Sequence, residues 1–176
     1  MILGKRTLIE ERTSISGTSA QSFTYNNGFS STYTNYIIEL ENVTEASGNI
    51  AVRYFTAHAD GSNVIEQSGT NYSHVFDSFR PTIYRQASGQ NMQTRHYDFY
   101  WKYSYHGTSI YFNPNISSQK HALVMGQTGY YAYTQSHGRY NSAIVSVGVK
   151  LFPNGGGSPQ QFSQGGIIRL FGLDKT

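Results

Sequence analysis

Apolar and polar residues alternate along most of this chain, and a period of two predicts strands rather than helices. In Tyr36-Ile37-Ile38-Glu39-Leu40-Glu41 the alternation puts Tyr36, Ile38 and Leu40 on one face and turns Glu39 and Glu41 to water. From Ala143 to Leu151, Val145, Val147, Val149 and Leu151 share a face, with Ser146, Gly148 and Lys150 opposite. The same reading predicts strands over Asn49 to Ala57, Thr82 to Gln86, Tyr97 to Tyr105, Ser109 to Phe112, His121 to Met125 and Gly166 to Leu170. Turns are expected at Asp60-Gly61, Ser88-Gly89, His106-Gly107, Asn113-Pro114, Ser136-His137-Gly138 and Pro153-Asn154-Gly155. Residues 13–35, rich in Ser, Thr and Asn, read as an extended strand with a long loop, and 154–159 as a loop between the last two strands. No segment carries a helical stripe over about 12 residues. Strands at this spacing predict an all-β fold, an antiparallel jelly-roll β-sandwich.

The length of 176 residues suits one domain over 1–176, with a short extended N-terminal segment over 1–7. Leu, Ile, Val and Phe make up about 22% of the chain and the net charge is only +3, which is enough apolar material for a core. Cysteine is absent, so disulfides and thiolate chemistry are excluded. No apolar run approaches the about 18 residues of a membrane-spanning helix, and MILGKRTLIEER is too charged for a signal peptide. The pI near 9.0 comes from 13 cations against 10 anions, with the cations scattered singly. That is a poor footprint for nucleic acid, which favours a clustered basic stripe. The 15 Tyr, 10 Phe and single Trp weigh more. With abundant Ser, Asn, Thr, Gln and Gly, they describe a surface that binds by stacking and neutral hydrogen bonds.

Particular residues also match a known pattern. The ending Gly165-Gly166-Ile167-Ile168-Arg169-Leu170-Phe171-Gly172-Leu173 resembles the closing strand of a module common in phage tail fibre and tail-tip proteins. Upstream, Phe29-Ser30-Ser31-Thr32-Tyr33 followed by Tyr36-Ile37-Ile38-Glu39-Leu40-Glu41-Asn42-Val43 is similar to its tyrosine-then-I-E-L-x-N-V strand. Ala51-Val52-Arg53-Tyr54 leading into Ala59-Asp60-Gly61-Ser62 resembles the next strand and its turn, and Leu8-Ile9 before a Ser/Thr-rich run resembles the opening. The matches cover residues 7–66 and 142–173, and the stretch 67–141 matches nothing. The resemblance implies a jelly-roll domain of a virion protein, assembled in the host cytoplasm, homotrimeric and in contact with other virion proteins. Its expected role is attachment to a bacterial surface molecule, with structural head decoration or fibre assembly as the alternative.

Catalytic patterns are weak. A glycosidase needs two carboxylates roughly 5 to 9.5 Å apart across a cleft. Glu39 and Glu41 would lie about 7 Å apart on one strand face, which reads more simply as an exposed sheet face. The six His show no H-x-H, H-E-x-x-H or Asp-rich loop, so no metal is expected. Gly155-Gly156-Gly157 lacks the Lys-Ser/Thr of a phosphate loop, and no G-x-S-x-G elbow occurs. No catalytic residue and no cofactor is predicted, and the chain reads as a binder rather than an enzyme.

Binding chemistry concentrates in the unmatched middle. As a strand, 97–105 puts Tyr97, Phe99, Trp101, Tyr103 and Tyr105 on one face, most simply core, and Asp98, Tyr100, Lys102, Ser104 and then His106 on the other. The second set can stack on sugar rings and hydrogen-bond hydroxyls. Two further segments are of this kind, Tyr130 to Tyr140 and Gln90 to His96. The candidate ligand-binding residues are therefore Arg95, Asp98, Tyr100, Lys102, His106, Tyr131, His137, Arg139 and Tyr140, with the last two expected on a loop containing Gly138.

Overall fold

A computed structural model describes residues 5–24, 28–45, 49–57, 64–66, 72–79, 83–88, 94–95, 105–112, 114, 120–128, 133–140, 145–154 and 161–174, with side chains for 5–23, 28–43, 108, 110, 114, 145–153, 161–162 and 165–174. The described residues are all β, without a helix. In chain order the strands are β1 (Arg6–Arg12), β2 (Gln21–Thr24), β3 (Asn35–Glu45), β4 (Asn49–Ala57), β5 (Val64–Glu66), β6 (Tyr72–Phe79) and β7 (Ile83–Ser88). They continue as β8 (Thr94–Arg95), β9 (Tyr105–Phe112), β10 (Lys120–Thr128), β11 (Tyr133–Tyr140), β12 (Ser146–Asn154), β13 (Phe162–Gln164) and β14 (Ile167–Leu173). The large sheet runs β1-β14-β3-β9-β10-β11-β6-β7, with β13 also on β3; the small sheet runs β2-β12-β4-β5, with β8 also on β4. Every pairing is antiparallel.

Both sheets feed one core. Tyr36, Ile38, Leu40 and Val43 of β3 and Ile168 and Leu170 of β14 cluster with Phe23 of β2, Val149 and Leu151 of β12, Phe162 of β13, and Ile15 and Phe29. The expected alternation holds in β3 as far as Leu40, with Glu41 on the exposed side. Strict alternation would then turn Asn42 inward and Val43 outward. Instead Asn42 adopts φ 52°, and the β3–β9 register shifts between Leu40 and Val43. This bulge inserts one residue and returns Val43 to the core, where it is fully buried. Gly166 lies against it: a Cβ there would come within 2.6 Å of the Asn42 carbonyl oxygen and 2.9 Å of the Glu41 carbonyl oxygen. The glycine is what lets the chain leading into β14 approach a bulged neighbour so closely.

An aromatic group seals one end of the core. The ring of Tyr36 packs 4.6 Å from Phe29 and edge-on to Tyr33 at 5.9 Å. Its hydroxyl accepts from the Ser30 N–H at 2.6 Å and donates to the Ser30 carbonyl at 2.7 Å, which fixes the loop before β3. Tyr33 in turn lies over Gly172, where any Cβ would overlap its ring. The 13–35 segment thus holds a short strand and a loop, as expected. Its turn at residues 15–18 is clasped to β13 by the hydrogen bonds Gly17 N–H to Phe162 O and Phe162 N–H to Thr18 O.

Elsewhere the pattern was misleading. The β12–β4 register shifts between Ser146 and Gly148, so Val145 is 42% exposed while Ser146 is buried with its hydroxyl donating to the Gly148 carbonyl. His106 and Gly107 are not a turn but lie inside β9, where Gly107 opposes Leu40 on one side and Gly126 on the other. Ser136, His137 and Gly138 are likewise interior to β11, between β10 and β6. Pairing on both sides outweighs the poor intrinsic strand preference of these glycines. Pro153 and Asn154 continue β12 opposite Ile50 and Asn49; β2 reaches only to Leu151, so Pro153 has a neighbour on one side alone. Of the strand expected over 97–105, Tyr105 opens β9 and the rest lies outside the described residues.

Candidate functional site

The side of the large sheet away from the core carries an ionic lattice over β1, β14 and β3. Register sets Glu11, Arg169 and Glu39 side by side on three adjacent strands. Arg169 Nε donates to Glu11 Oε2 at 2.6 Å and Arg169 Nη1 to Glu41 Oε2 at 2.7 Å, while Arg6 Nη2 donates to Glu39 Oε1 at 2.7 Å. The Arg6 guanidinium also lies 4.1 Å from the centre of the Phe171 ring. The hydrogen bonds to Glu41 and then Glu11 raise the Arg169 pKa above its ordinary value. These groups are partly solvated, so the lattice works as cross-strand pairing rather than as a strong stabiliser. Glu39 and Glu41 are each engaged by a different arginine, consistent with a sheet-face role rather than a catalytic pair.

At the edge, β1 turns two charges toward the interior. Glu10 and Arg12 sit opposite the core residues Leu170 and Ile168. Arg12 Nε lies 2.6 Å from Glu10 Oε1, its Nη2 donates to the Ser22 carbonyl at 3.2 Å, and its guanidinium stands 5.2 Å from the Phe23 ring. Arg12 therefore ties the edge of the large sheet to β2, the edge of the small one. Inward charges and the register shift between Leu8 and Glu10 are devices that discourage a foreign strand from adding to an open edge.

The residues singled out from the sequence fall in several places. Asp98, Tyr100, Lys102 and Tyr131 lie outside the described residues. Arg95 is in β8, opposite Ala51, and β8 runs close to β11 and β6. His137, Arg139 and Tyr140 are consecutive or near-consecutive positions of β11 and belong to a strand, not to a loop. His106 is at the far end of the sheet from them. It opposes Gln127, whereas Arg139 opposes His121, which opposes Phe112, six positions along β9 from His106. At about 3.3 Å per residue that separates the two by roughly 20 Å. Register adds residues that sequence reading missed: Lys120 and Tyr72 flank Tyr140, and His121 and Ser73 flank Arg139. The signal was present in 120–128 and 133–140, two segments that pair as neighbours, but reading 136–138 as a turn hid it.

Among the residues whose side chains are described, no three His, Asp or Glu come together as metal ligands. No protein-family model matches the chain, and no curated protein or solved structure shows significant similarity to it.

Proposed function

We propose that this chain is a receptor-binding module of a bacteriophage tail fibre or tail tip, a jelly-roll β-sandwich that acts as a homotrimer on the virion and engages a bacterial surface glycan without catalysis. The observation that carries the reading is the closing strand. The I-R-L-F-G-L segment that resembles the phage module forms β14, between β1 and β3, with Ile168 and Leu170 in the core. The two antiparallel sheets around one core support the sandwich. The abundance of Tyr and Phe supports both sugar stacking and an association surface, because apolar groups in such number are usually covered by something.

The test is attachment of the labelled chain to a glycan array and to a panel of bacterial cells, with sedimentation equilibrium for the oligomer. The expected results are binding, and a mass about three times 19.7 kDa. Replacing Tyr100 by Ala should weaken attachment while leaving folding and assembly intact. A chain that binds neither cells nor glycans but assembles with other virion proteins would overturn the receptor reading in favour of a structural role. A monomer at micromolar concentration would overturn the trimer.

A further inference from the structure

Ile168 and Leu170 of β14 are in the core, so alternation puts Gly172, and after it Asp174, on that same side of the large sheet. In β1, Thr7 stands opposite Gly172, and Arg6, on the other side, opposite Leu173. The ladder runs one step past both strands, because the Asp174 N–H donates to the Lys5 carbonyl at 3.1 Å. Lys5 therefore falls on the side of Thr7, beside Asp174, and both side chains are exposed. One rung further in, Tyr33 covers Gly172. The part of its ring that a Cβ at Gly172 would strike is the near end, Cγ and both Cδ atoms. Tyr33 is clamped there by Gly172 and Tyr36, yet it is only half-buried.

What sets this end of the sandwich apart is that its polar groups are unused. Across β1, β14 and β3 the other described charges are engaged: Arg6 with Glu39, Arg12 with Glu10, and Arg169 with Glu11 and Glu41. Lys5 and Asp174 are neighbours of opposite charge that do not pair with each other. Among the described residues, neither of these side chains nor the Tyr33 hydroxyl has a hydrogen-bond or ion-pair partner. The loop that carries Tyr33 is already ordered: the Tyr36 hydroxyl holds the Ser30 backbone, and the Thr32 N–H donates to Ser30 Oγ at 3.3 Å.

We infer that Tyr33, Asp174 and Lys5 form a subsite for a neutral sugar ring at this end of the sandwich. The inference rests on the receptor-binding reading and supplies it with a contact built from the end of β14, the chain entering β1 and the loop before β3. A carboxylate accepts from sugar hydroxyls and an ammonium donates to them, which suits a ligand that offers donors and acceptors together. One charge of each sign gives no net attraction for an anion or a cation, so a neutral polyol fits better than an acidic or basic sugar. Tyr33 adds ring surface for the apolar C–H side of the sugar and a hydroxyl at its far end. Because the ring and its loop are held beforehand, little ordering is left to oppose binding. Neighbouring strands about 4.8 Å apart, and about 7 Å from Gly172 to Asp174 along β14, give the footprint of a single sugar ring.

The experiment is a nuclear magnetic resonance titration of the full isotope-labelled chain with the methyl glycosides of glucose, galactose, mannose and N-acetylglucosamine, and with glucuronate and glucosamine as charged probes. At least one neutral glycoside should bind with a dissociation constant of about 1–10 mM and move the backbone amides of Lys5, Tyr33 and Asp174. Neither charged probe should bind more tightly than that glycoside. Asp174→Ala, which removes an exposed side chain and keeps the backbone bond to Lys5, should weaken binding about tenfold, roughly one charge-assisted contact's worth. Lys150→Gln, on the small sheet, should leave it unchanged. Absence of saturable shifts with every neutral glycoside, shifts confined to other regions, or equal binding by Asp174→Ala would overturn the site. If the chain attaches to cells and Asp174→Ala attaches equally well, only this site falls. If Tyr33 and Asp174 respond to sugar in a chain that attaches to no cell or glycan array, the receptor reading falls and the site stands.

Discussion

Replacing Gly166 by alanine should be among the most damaging single-methyl changes in this protein, and replacing its neighbour Gly165 among the mildest. At Gly166 the new Cβ would meet three backbone atoms of the Asn42 bulge, at 2.6, 2.9 and 2.9 Å. Reaching even 3.0 Å from the nearest demands a shift of about 0.4 Å, and backbone atoms cannot rotate away as a side-chain tip can. If the strands absorb the shift, overpacking of this kind costs about 1–3 kcal/mol. If the bulge opens instead, Val43 leaves a site where it is fully buried, adding about 1.5–3 kcal/mol. Either outcome is a large part of a domain's usual stability of about 5–15 kcal/mol. A Cβ at Gly165 meets nothing within 4 Å, so alanine there should be within about 0.5 kcal/mol of wild type. Urea unfolding of both variants, compared at equal m-value, is the assay. A loss below about 0.5 kcal/mol for Gly166→Ala would refute the close approach on which the reasoning depends.

Tyr36→Phe keeps the buried ring but removes both hydrogen bonds to the Ser30 backbone; it should lower stability by about 1–3 kcal/mol by the same assay and speed amide exchange in the loop before β3. Arg12→Ala, which strips Glu10 of its partner and unties the two sheet edges, should cost about 1–3 kcal/mol and promote self-association measurable by light scattering, because an inward charge is lost from the open edge. The Arg169 pKa is raised in the folded chain by Glu41 and Glu11, so over neutral and moderately alkaline pH its contribution is complete, and on the alkaline side it disappears only beyond the ordinary arginine range. The difference in urea midpoint between wild type and Arg169→Gln should accordingly be the same at about pH 7 and pH 10; a difference that shrinks over that interval would count against the pairing. Circular dichroism of the whole chain should show a β spectrum with helix below about 15%.

The alternation of side chains carried the fold class because it is a local consequence of the strand repeat: Tyr36, Ile38 and Leu40 must share a face whatever they pack against. Composition supplied the aromatic rings but not their place: Phe23, Phe29, Tyr36 and Phe162 went to the core. What alternation alone does not encode is where it is interrupted. Val43 is in the core because Asn42 takes a left-handed conformation beside a glycine more than a hundred residues away, and Ser146 rather than Val145 is buried where Val147 is the extra residue of a bulge, with Ser146 opposite Thr56 and Gly148 opposite Phe55. The same limit applied to the candidate site. Gly107 and Gly138 looked like turns because glycine disfavours an isolated strand, and only flanking strands on both sides make them strand residues. Once β11 is a strand, Arg139 meets His121 and parts from His106, which chemical type alone had grouped with it. Thus the chain's own sequence determined strand character, the face of β3 as far as Leu40 and the absence of thiol chemistry. Which basic residues became neighbours was decided by hydrogen-bonded register between strands distant in sequence, a property of the assembled sheet rather than of any one segment.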